Sequence, residues 1–408
     1  MRILMVNKFL YNNGGSETYC FNLTEYLKQK GHSVQFFGMD HDKNVVGNDL
    51  NLNVTNVEFK DITMSKILYP FKIIYSTEAR NKIKELIEHY KPDIVHLNNY
   101  NFQITPSILY EIKKHNIPVV MTLHDFQIVC PNHMMYIEHE KKICEECKGR
   151  KYINCIKNKC IHNSSIKSVF AAFEGYIYYK LKTYKKMIDY YIAPSNFLKD
   201  KICEFGEKEN RIKVIHNFVS SESKLNEKRI KKDYILYFGR LSVQKGIRTL
   251  ISACKMLPEI EFVVAGRGEL EKELEGIKNV KYIGFRVGEE LNTLISEALF
   301  SIYPSEWYEN CPMSVLESQM LGTPVIGANI GGIPELTDNN IDGLLFEPGN
   351  VNDLVNKISF LYSNRNVLQQ FSEKCISKVN IFSTDNYYNR LFEIYNLAIE
   401  KHIKSEVI

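Results

Sequence analysis

The residues whose types and spacing could do chemistry fall in a few short stretches. SEWYENCPMSVLESQMLGTPVIG, Ser305 to Gly327, holds Glu309 and Glu317 with seven residues between them. Pro312 suits the first position of a helix and Gly322 its end. The pattern predicts a helix over 312–321 with Glu309 in the loop at its mouth, and Glu317 about 7.5 Å along the axis from Pro312. Carboxylates so placed can grip two parts of one elongated ligand; they are not a close acid–base dyad. On spacing alone, a Glu317 that faces solvent, as most helical glutamates do, is the better-supported reading. FGRLSVQKG puts Arg240 and Lys245 on a loop that enters a helix. Two cations beside a helix N-terminus suit a diphosphate, against the plainer reading of two solvated charges. In NKFLYNNGGSET, Gly14 and Gly15 allow a tight turn into a helix that Ser16 would cap, an anion site or an ordinary strand-to-helix turn. It is neither a Walker loop nor the Gly-x-Gly-x-x-Gly fingerprint. His124 and Asp125 follow the apolar run VVMTL. A histidine there can act on a hydroxyl or bind a sugar, or merely cap a neighbouring helix. Gly331 and Gly332 allow another close backbone approach, while Glu335 and the Asp342-Gly343 turn read as structural.

A second constellation is made of cysteines. CEECKGRKYINCIKNKC carries Cys144, Cys147, Cys155 and Cys160, with Cys130 upstream as an alternative ligand. Cys-x2-Cys followed by two more cysteines can hold a structural zinc, although the later spacings are irregular. Unligated thiols, a disulfide and an iron–sulfur cluster are the other readings. A metal with four thiolates would have no open position for catalysis. The next stretch, IKSVFAAFEGYIYYKLKTYKKMIDYY, mixes lysine with tyrosine and phenylalanine. It fits a basic, aromatic face on an anionic membrane, or an ordinary helix packed by its aromatics.

The elements that must position these residues are also readable. Short apolar runs alternate with amphipathic segments: RILMVN, HSVQFFGM, DIVHLNN, IPVVMTLH, DYYIAPS and IKVIHNF are strands, with helices between them. Val219 to Asp233 is polar and reads as a linker. The alternation then restarts with YILYFGR, IEFVVAG, VKYIGF, LFSIYP, TPVIGA and GLLFE, and a last helix begins near Asp385. Continuous apolar strands between helices indicate parallel sheets covered on both faces. The predicted fold class is α/β, with two Rossmann-like doubly wound domains. Their expected spans are 1–218, with a cysteine-rich insert at 130–160, and 219–384. Ligands in such sheets bind beyond the carboxyl ends of the strands, which is where Gly14, His124, Arg240 and Glu309 fall.

Composition narrows the classes. The net charge is only +4, yet residues 141–190 hold twelve Lys or Arg against four Asp or Glu. The rest of the chain therefore nets −4, so one region is basic and the protein as a whole is not. No apolar stretch is long enough to span a bilayer. MRILMV reads as a first strand and not as a secretory signal, and ten cysteines without a signal suit a reducing cytoplasm. Asp40-His41-Asp42 has the spacing of an Asp-x-Asp metal site but reads as a surface loop.

Taken together, Gly14-Gly15, FGRLSVQKG, VVAGRGEL, the Glu309-x7-Glu317 pattern, LGTPVIG, GGIPE and DGLLFEPG resemble glycosyltransferase family 4, retaining nucleotide-sugar transferases of GT-B fold. The resemblance implies two domains facing a central cleft, with the helix at 385–408 completing the first. It implies that Arg240 and Lys245 bind the donor diphosphate, that Glu317 holds the ribose, and that Glu309, Asn310 and Cys311 line the donor-sugar pocket. Gly284 and Phe285 would meet the base through backbone, His124 would lie near the transferred sugar, and Gly14 and Gly15 would approach the diphosphate. The donor is expected to be a UDP- or GDP-sugar, with no catalytic metal. The acceptor would be a saccharide or a lipid-linked saccharide, met in the cytoplasm or at the inner face of the membrane during surface polysaccharide or glycolipid synthesis. The rival readings are a nucleotide-sugar epimerase, a phosphorylase, or a zinc-stapled nucleic-acid binder. The phosphate and carboxylate constellation argues against nucleic acid as a partner.

Overall fold

The computed structural model describes residues 1–56, 74–101, 104–219, 230–378 and 380–406. The expected linker at 219–233 lies mostly outside them. The chain divides into two compact units. One comprises Met1–Ile137, Cys144–Ile215 and Tyr388–Ile408; the other comprises Glu138–Ile143 and His216–Tyr387.

In the first unit, strands β1 (Arg2–Val6), β2 (Ser33–Phe37), β3 (Ile94–Leu97), β4 (Val119–Thr122), β5 (Tyr190–Ala193) and β6 (Ile212–Val214) form one sheet in the order β2-β1-β3-β4-β5-β6. Every pairing is parallel. β3 and β4 are buried along their whole length, and β1 along all but its first residue. This is why they read as unalternating apolar runs: helices cover both faces. The helices of eight or more residues between these strands are α1 (Gly15–Gln29), α2 (Thr77–Tyr90), α3 (Ser107–Lys114), α4 (Ser165–Lys180) and α5 (Asn196–Glu204).

The second unit repeats the design. Strands β7 (Tyr234–Phe238), β8 (Glu261–Ala265), β9 (Val280–Gly284), β10 (Ser301–Tyr303), β11 (Val325–Ala328) and β12 (Gly343–Phe346) run in the order β9-β8-β7-β10-β11-β12, again parallel. Its helices of eight or more residues are α6 (Ile247–Met256), α7 (Gly288–Glu297), α8 (Met313–Met320), α9 (Val351–Ser363) and α10 (Arg365–Lys378). Of these, α9 and α10 were not singled out from sequence. The last helix, α11 (Thr384–Glu406), starts in the second unit, and its residues from Tyr388 onward belong to the first.

Both strand orders reverse once, between β1 and β3 and between β7 and β10. At such a reversal the connections leave in opposite directions and open a crevice beyond the strand ends, where ligands bind. The two reversal points therefore mark where chemistry belongs.

His96 breaks the apolar run of β3, and it is fully buried. Its ring is hydrogen-bonded to Tyr395 OH on α11 at 2.6 Å and to Thr122 Oγ1 on β4 at 2.7 Å. Burial, with a smaller contribution from nearby His124, lowers its pKa to about 3. The unfolded chain binds a proton near pH 6.5 that the folded chain refuses, so this contribution to stability is complete above that pH and is lost as pH falls toward 3. At pH 5 the loss is about 2 kcal/mol. The difference in unfolding free energy between pH 7 and pH 5, measured in urea, should shrink by about that amount in His96→Gln. An unchanged pH dependence would contradict it.

Candidate active site

In the second unit, the loops after β7 and β10 meet across the reversal point. The chain leaves β7, turns at Val243–Lys245 and enters α6 through Gly246 at φ +70°. A Cβ on Gly246 would lie 1.7 Å from the Pro304 carbonyl oxygen, so only glycine lets these loops touch. The turn delivers Lys245. Its Nζ donates to Glu309 Oε1 at 2.6 Å and to Tyr303 OH at 3.0 Å, and it lies over the Tyr303 and Trp307 rings. Ser305 Oγ and Trp307 Nε1 donate to the same Glu309 oxygen, each at 2.6 Å. The Glu309 backbone is braced as well. Gly332 N–H donates to its carbonyl at 2.7 Å, and Gly331, at φ +61°, packs so close that a Cβ would lie 2.3 Å from that oxygen. The ion pair is mostly buried, with 18 % and 7 % of the Lys245 and Glu309 side chains exposed. Burial opposes the lysine charge, but Glu309 and Tyr303 outweigh it and raise the Lys245 pKa.

The other residues expected from sequence to meet a donor are placed as follows. Arg240 follows β7 and is exposed, and Tyr237 OH holds its carbonyl at 2.8 Å. Glu317 is half-buried on α8, and burial pushes its carboxyl up to about 7. The simple solvent-facing reading therefore fails. Pro312 caps α8 with an extended ψ of 120° and does not open it, so the helix begins one residue later than expected. Asn310 is half-buried beside it. Cys311 is buried, and Asn217 donates its N–H to the thiol at 3.4 Å and its side-chain amide to the carbonyl at 3.0 Å. Gly284 ends β9 at φ +72°, and Phe285 beyond it is 52 % exposed, with the Arg267 guanidinium 4.6 Å over its ring. Sequence reading missed Ser242. Its hydroxyl is buried in the Lys245 turn without a hydrogen-bond partner among the described residues. Ser305 and Trp307, which orient Glu309, were likewise passed over.

In the first unit, Gly14 caps α1 with extended backbone, and Gly15 begins the helix. Both are exposed. Ser16 does not cap the helix, because it already lies inside it; its hydroxyl donates to Glu17 Oε1 at 3.1 Å. Glu17 is buried, takes a second bond from Asn7 Nδ2 at 3.2 Å, and has its pKa raised by burial. His124, just past β4, has Nε2 2.9 Å from Asn98 Oδ1 and its ring edge-on to Tyr19. Burial lowers its pKa to about 4, so the imidazole is neutral near pH 7. The Asn98 side-chain N–H2 is buried with no hydrogen-bond partner among the described residues. Asp125 accepts the Gln127 N–H at 2.8 Å, and burial pushes its carboxyl up to about 7. Asn98 carried a usable signal in sequence, since it stands directly after a buried strand.

Residues 13–223 match the family described as Glycosyltransferase Family 4, and residues 220–378 match Glycosyl transferases group 1. The chain belongs to the family 4 glycosyltransferases. An uncharacterized glycosyltransferase of Methanocaldococcus jannaschii is 24 % identical over 95 % of each chain. A protein of the cps region of Klebsiella pneumoniae is 25 % identical over 83 % of this chain and 87 % of its own. The crystal structure of Anabaena HepE in complex with UDP superposes with a TM-score of 0.70 at 17 % identity, over 97 % of this chain and all of that one. The fold is accordingly that of the GT-B glycosyltransferases.

Two features stand apart from the family motifs. Cys144, Cys147, Cys155 and Cys160 come together, and Cys130 joins them around one cavity. On α4, Ile166, Val169, Phe173 and Tyr176 are exposed, while Ser168, Ala171, Ala172 and Tyr178 are buried on the other side. Among the described residues no helix is long and apolar enough to cross a membrane.

Gly246→Ala tests the contact that sets the Lys245 turn. Strain at positive φ and the overlap with Pro304 should together cost about 3 kcal/mol in urea unfolding of the second unit. A loss near zero would mean that the loops are not packed as described.

Proposed function

We propose that this glycosyltransferase is a retaining, hexosyl-type enzyme. It moves a sugar from a nucleotide-diphosphate sugar, UDP-linked in the first instance, to a hydroxyl of a saccharide or lipid-linked acceptor. The setting is the synthesis of a bacterial surface polysaccharide or glycolipid. The observation that carries this reading is the Lys245–Glu309 pair at the reversal point of the second sheet. UDP in the Anabaena structure and the cps region of the Klebsiella relative support the donor and the setting.

Transfer passes through an oxocarbenium-like state while negative charge grows on the leaving diphosphate. Lys245, whose charge is locked on, and the exposed Arg240 of the same loop meet that charge without a catalytic metal. The buried Ser242 hydroxyl gains an acceptor when phosphate oxygens arrive. Glu309, held from three sides through Oε1, steers the donor sugar beside Asn310 and Cys311. Glu317, half protonated near pH 7, can both donate to and accept from the ribose hydroxyls. Gly284 and Phe285 receive the base. In the first unit, neutral His124 and the unsatisfied Asn98 amide suit uncharged sugar hydroxyls. Nothing in the local backbone demands glycine at Gly14, and a Cβ there would make only an ordinary 3.6 Å contact. That leaves room for a diphosphate as its reason. The apolar stripe of α4, with Lys167, Lys180, Lys182, Lys185 and Lys186 on or after the helix, suits an anionic membrane surface that presents the acceptor.

The test uses the full chain. UDP and UDP-sugars should raise the melting temperature by mass action. With the preferred donor, Glu309→Gln and Lys245→Gln should each lower transfer by about 100-fold or more while circular dichroism stays native. A near-normal rate in either variant removes its assigned role. Proton NMR of the product should show the donor's anomeric configuration, and inversion would refute the retaining assignment. Turnover without acceptor, or with phosphate in its place, would favour an epimerase or a phosphorylase.

A further inference from the structure

Five thiols from two stretches of chain meet around one small cavity of the first unit: those of Cys130, Cys144, Cys147, Cys155 and Cys160. All are free cysteines. Cys130 comes from the loop after β4, and the others come from the insert. The remaining wall is largely apolar, with Met135 and Phe205. Thiols are weak hydrogen-bond partners for one another, so neither the fold nor the cavity gives five of them a reason to converge. A soft, thiophilic cation does.

The five are not equivalent. Cys130, Cys144, Cys147 and Cys160 lie within electrostatic range of one another in all six pairings. Cys155 lies within the same range of Cys130, Cys147 and Cys160, and what sets it apart is its hydrogen bonding. Its backbone N–H donates to the Cys147 sulfur, and its thiol is hydrogen-bonded with that of Cys160. Such N–H and S–H bonds to ligand sulfurs are what surrounds a thiolate centre from outside. Charge points the same way. Between Cys144 and Cys160 stand Lys148, Arg150, Lys151, Lys157 and Lys159 against Glu145 and Glu146. A divalent ion with four thiolates carries a net charge of −2, which a basic insert stabilises.

We propose that Cys130, Cys144, Cys147 and Cys160 bind one zinc ion, with Cys155 supporting the ligand sulfurs by hydrogen bonds. This differs from the set read off spacing, which took Cys155 and left Cys130 as the alternative. Each ligand loses its proton as its Zn–S bond forms, so four protons are released and no group is oxidised or reduced. Four protein ligands leave no open position, so the ion is structural. Among the described residues no three such side chains already stand in ligating positions, so binding requires the sulfurs that line this cavity to rotate inward.

The site reaches further than the insert. The Cys130 N–H donates to the Phe126 carbonyl at 2.9 Å, and the Phe126 N–H donates to the His133 carbonyl at 3.0 Å. The Cys144 N–H donates to the Met135 carbonyl at 2.9 Å. An ion anchored on Cys130 and Cys144 therefore pins the segment that follows His124 and Asp125. Cys130 is thus a positioning residue for that segment, a clause that rests on the active-site reading above.

The experiment is metal analysis of the full chain, made with zinc chloride in the medium and purified without chelator. About one zinc per chain is expected, with an all-sulfur first shell at about 2.3 Å by X-ray absorption. Cys144→Ser/Cys147→Ser should lose the metal, while Cys155→Ser and Cys203→Ser should keep it. Wild type with less than about a tenth of an equivalent, or with a disulfide among these five by mass spectrometry, overturns the site. Loss of zinc from Cys155→Ser overturns the ligand assignment. Stripping zinc from wild type with a chelator avoids any folding defect of a variant. It should speed hydrogen exchange of the 126–136 amides about tenfold, reversibly on adding zinc chloride, and leave β7 and β8 unchanged. Unchanged exchange at 126–136 defeats the positioning role. None of these measurements reads sugar transfer, so their failure and that of the proposed function are separable.

Discussion

The buried contact between Lys245 and Glu309 organises the second unit. Removing two charges from water costs several kcal/mol for each, and their attraction repays this only when the remaining polar atoms are satisfied. Here the supplements are present: Tyr303 for the ammonium, and Ser305 and Trp307 for the carboxylate. Removing either charge alone would strand the other at a cost of about 3–5 kcal/mol. The pair therefore clamps the β7 loop to the β10 loop across the point where the strand order reverses. The same clamp keeps Lys245 charged although it is mostly buried.

The first unit uses burial in the opposite sense. At the carboxyl ends of β3 and β4, desolvation keeps His124 neutral and draws the Asp125 carboxyl toward its protonated form. His96, deeper in the sheet, is neutral for the same reason. These groups are neutral donors and acceptors, and the Asn98 amide among them is buried without a partner among the described residues. The two parallel sheets differ in strand order, and different residues follow their strands at the reversal points: a buried ion pair in the second unit and a neutral imidazole in the first.

Much of this was legible in sequence for a local reason. A strand covered on both faces must be apolar throughout, so RILMV and YILYF announce themselves. The loops after them then mark the candidate residues, and Arg240, Lys245, Glu309 and His124 were found in this way. What was missed depends on how neighbouring side chains turn toward one another, and in one case on a partner from another loop. Ser305 and Trp307 look like loop residues until their bonds to Glu309 are seen. Ser16 looked like a cap, but one residue of helix start decided otherwise. Spacing grouped Cys155 with its neighbours, whereas Cys130 arrives from another loop to face the same cavity.

By itself the sequence determined the two runs of alternating strands and helices, the family motifs and the positions where ligand-binding groups must lie. Each of these follows from periodicity or from residue types a few positions apart. Only the tertiary structure decided that Glu309 spends one oxygen on Lys245, that Glu317 is half-buried with a raised pKa, and that five thiols share one cavity. Those outcomes rest on which strand ends meet and how much water their side chains keep, and neither quantity is local to any stretch of chain.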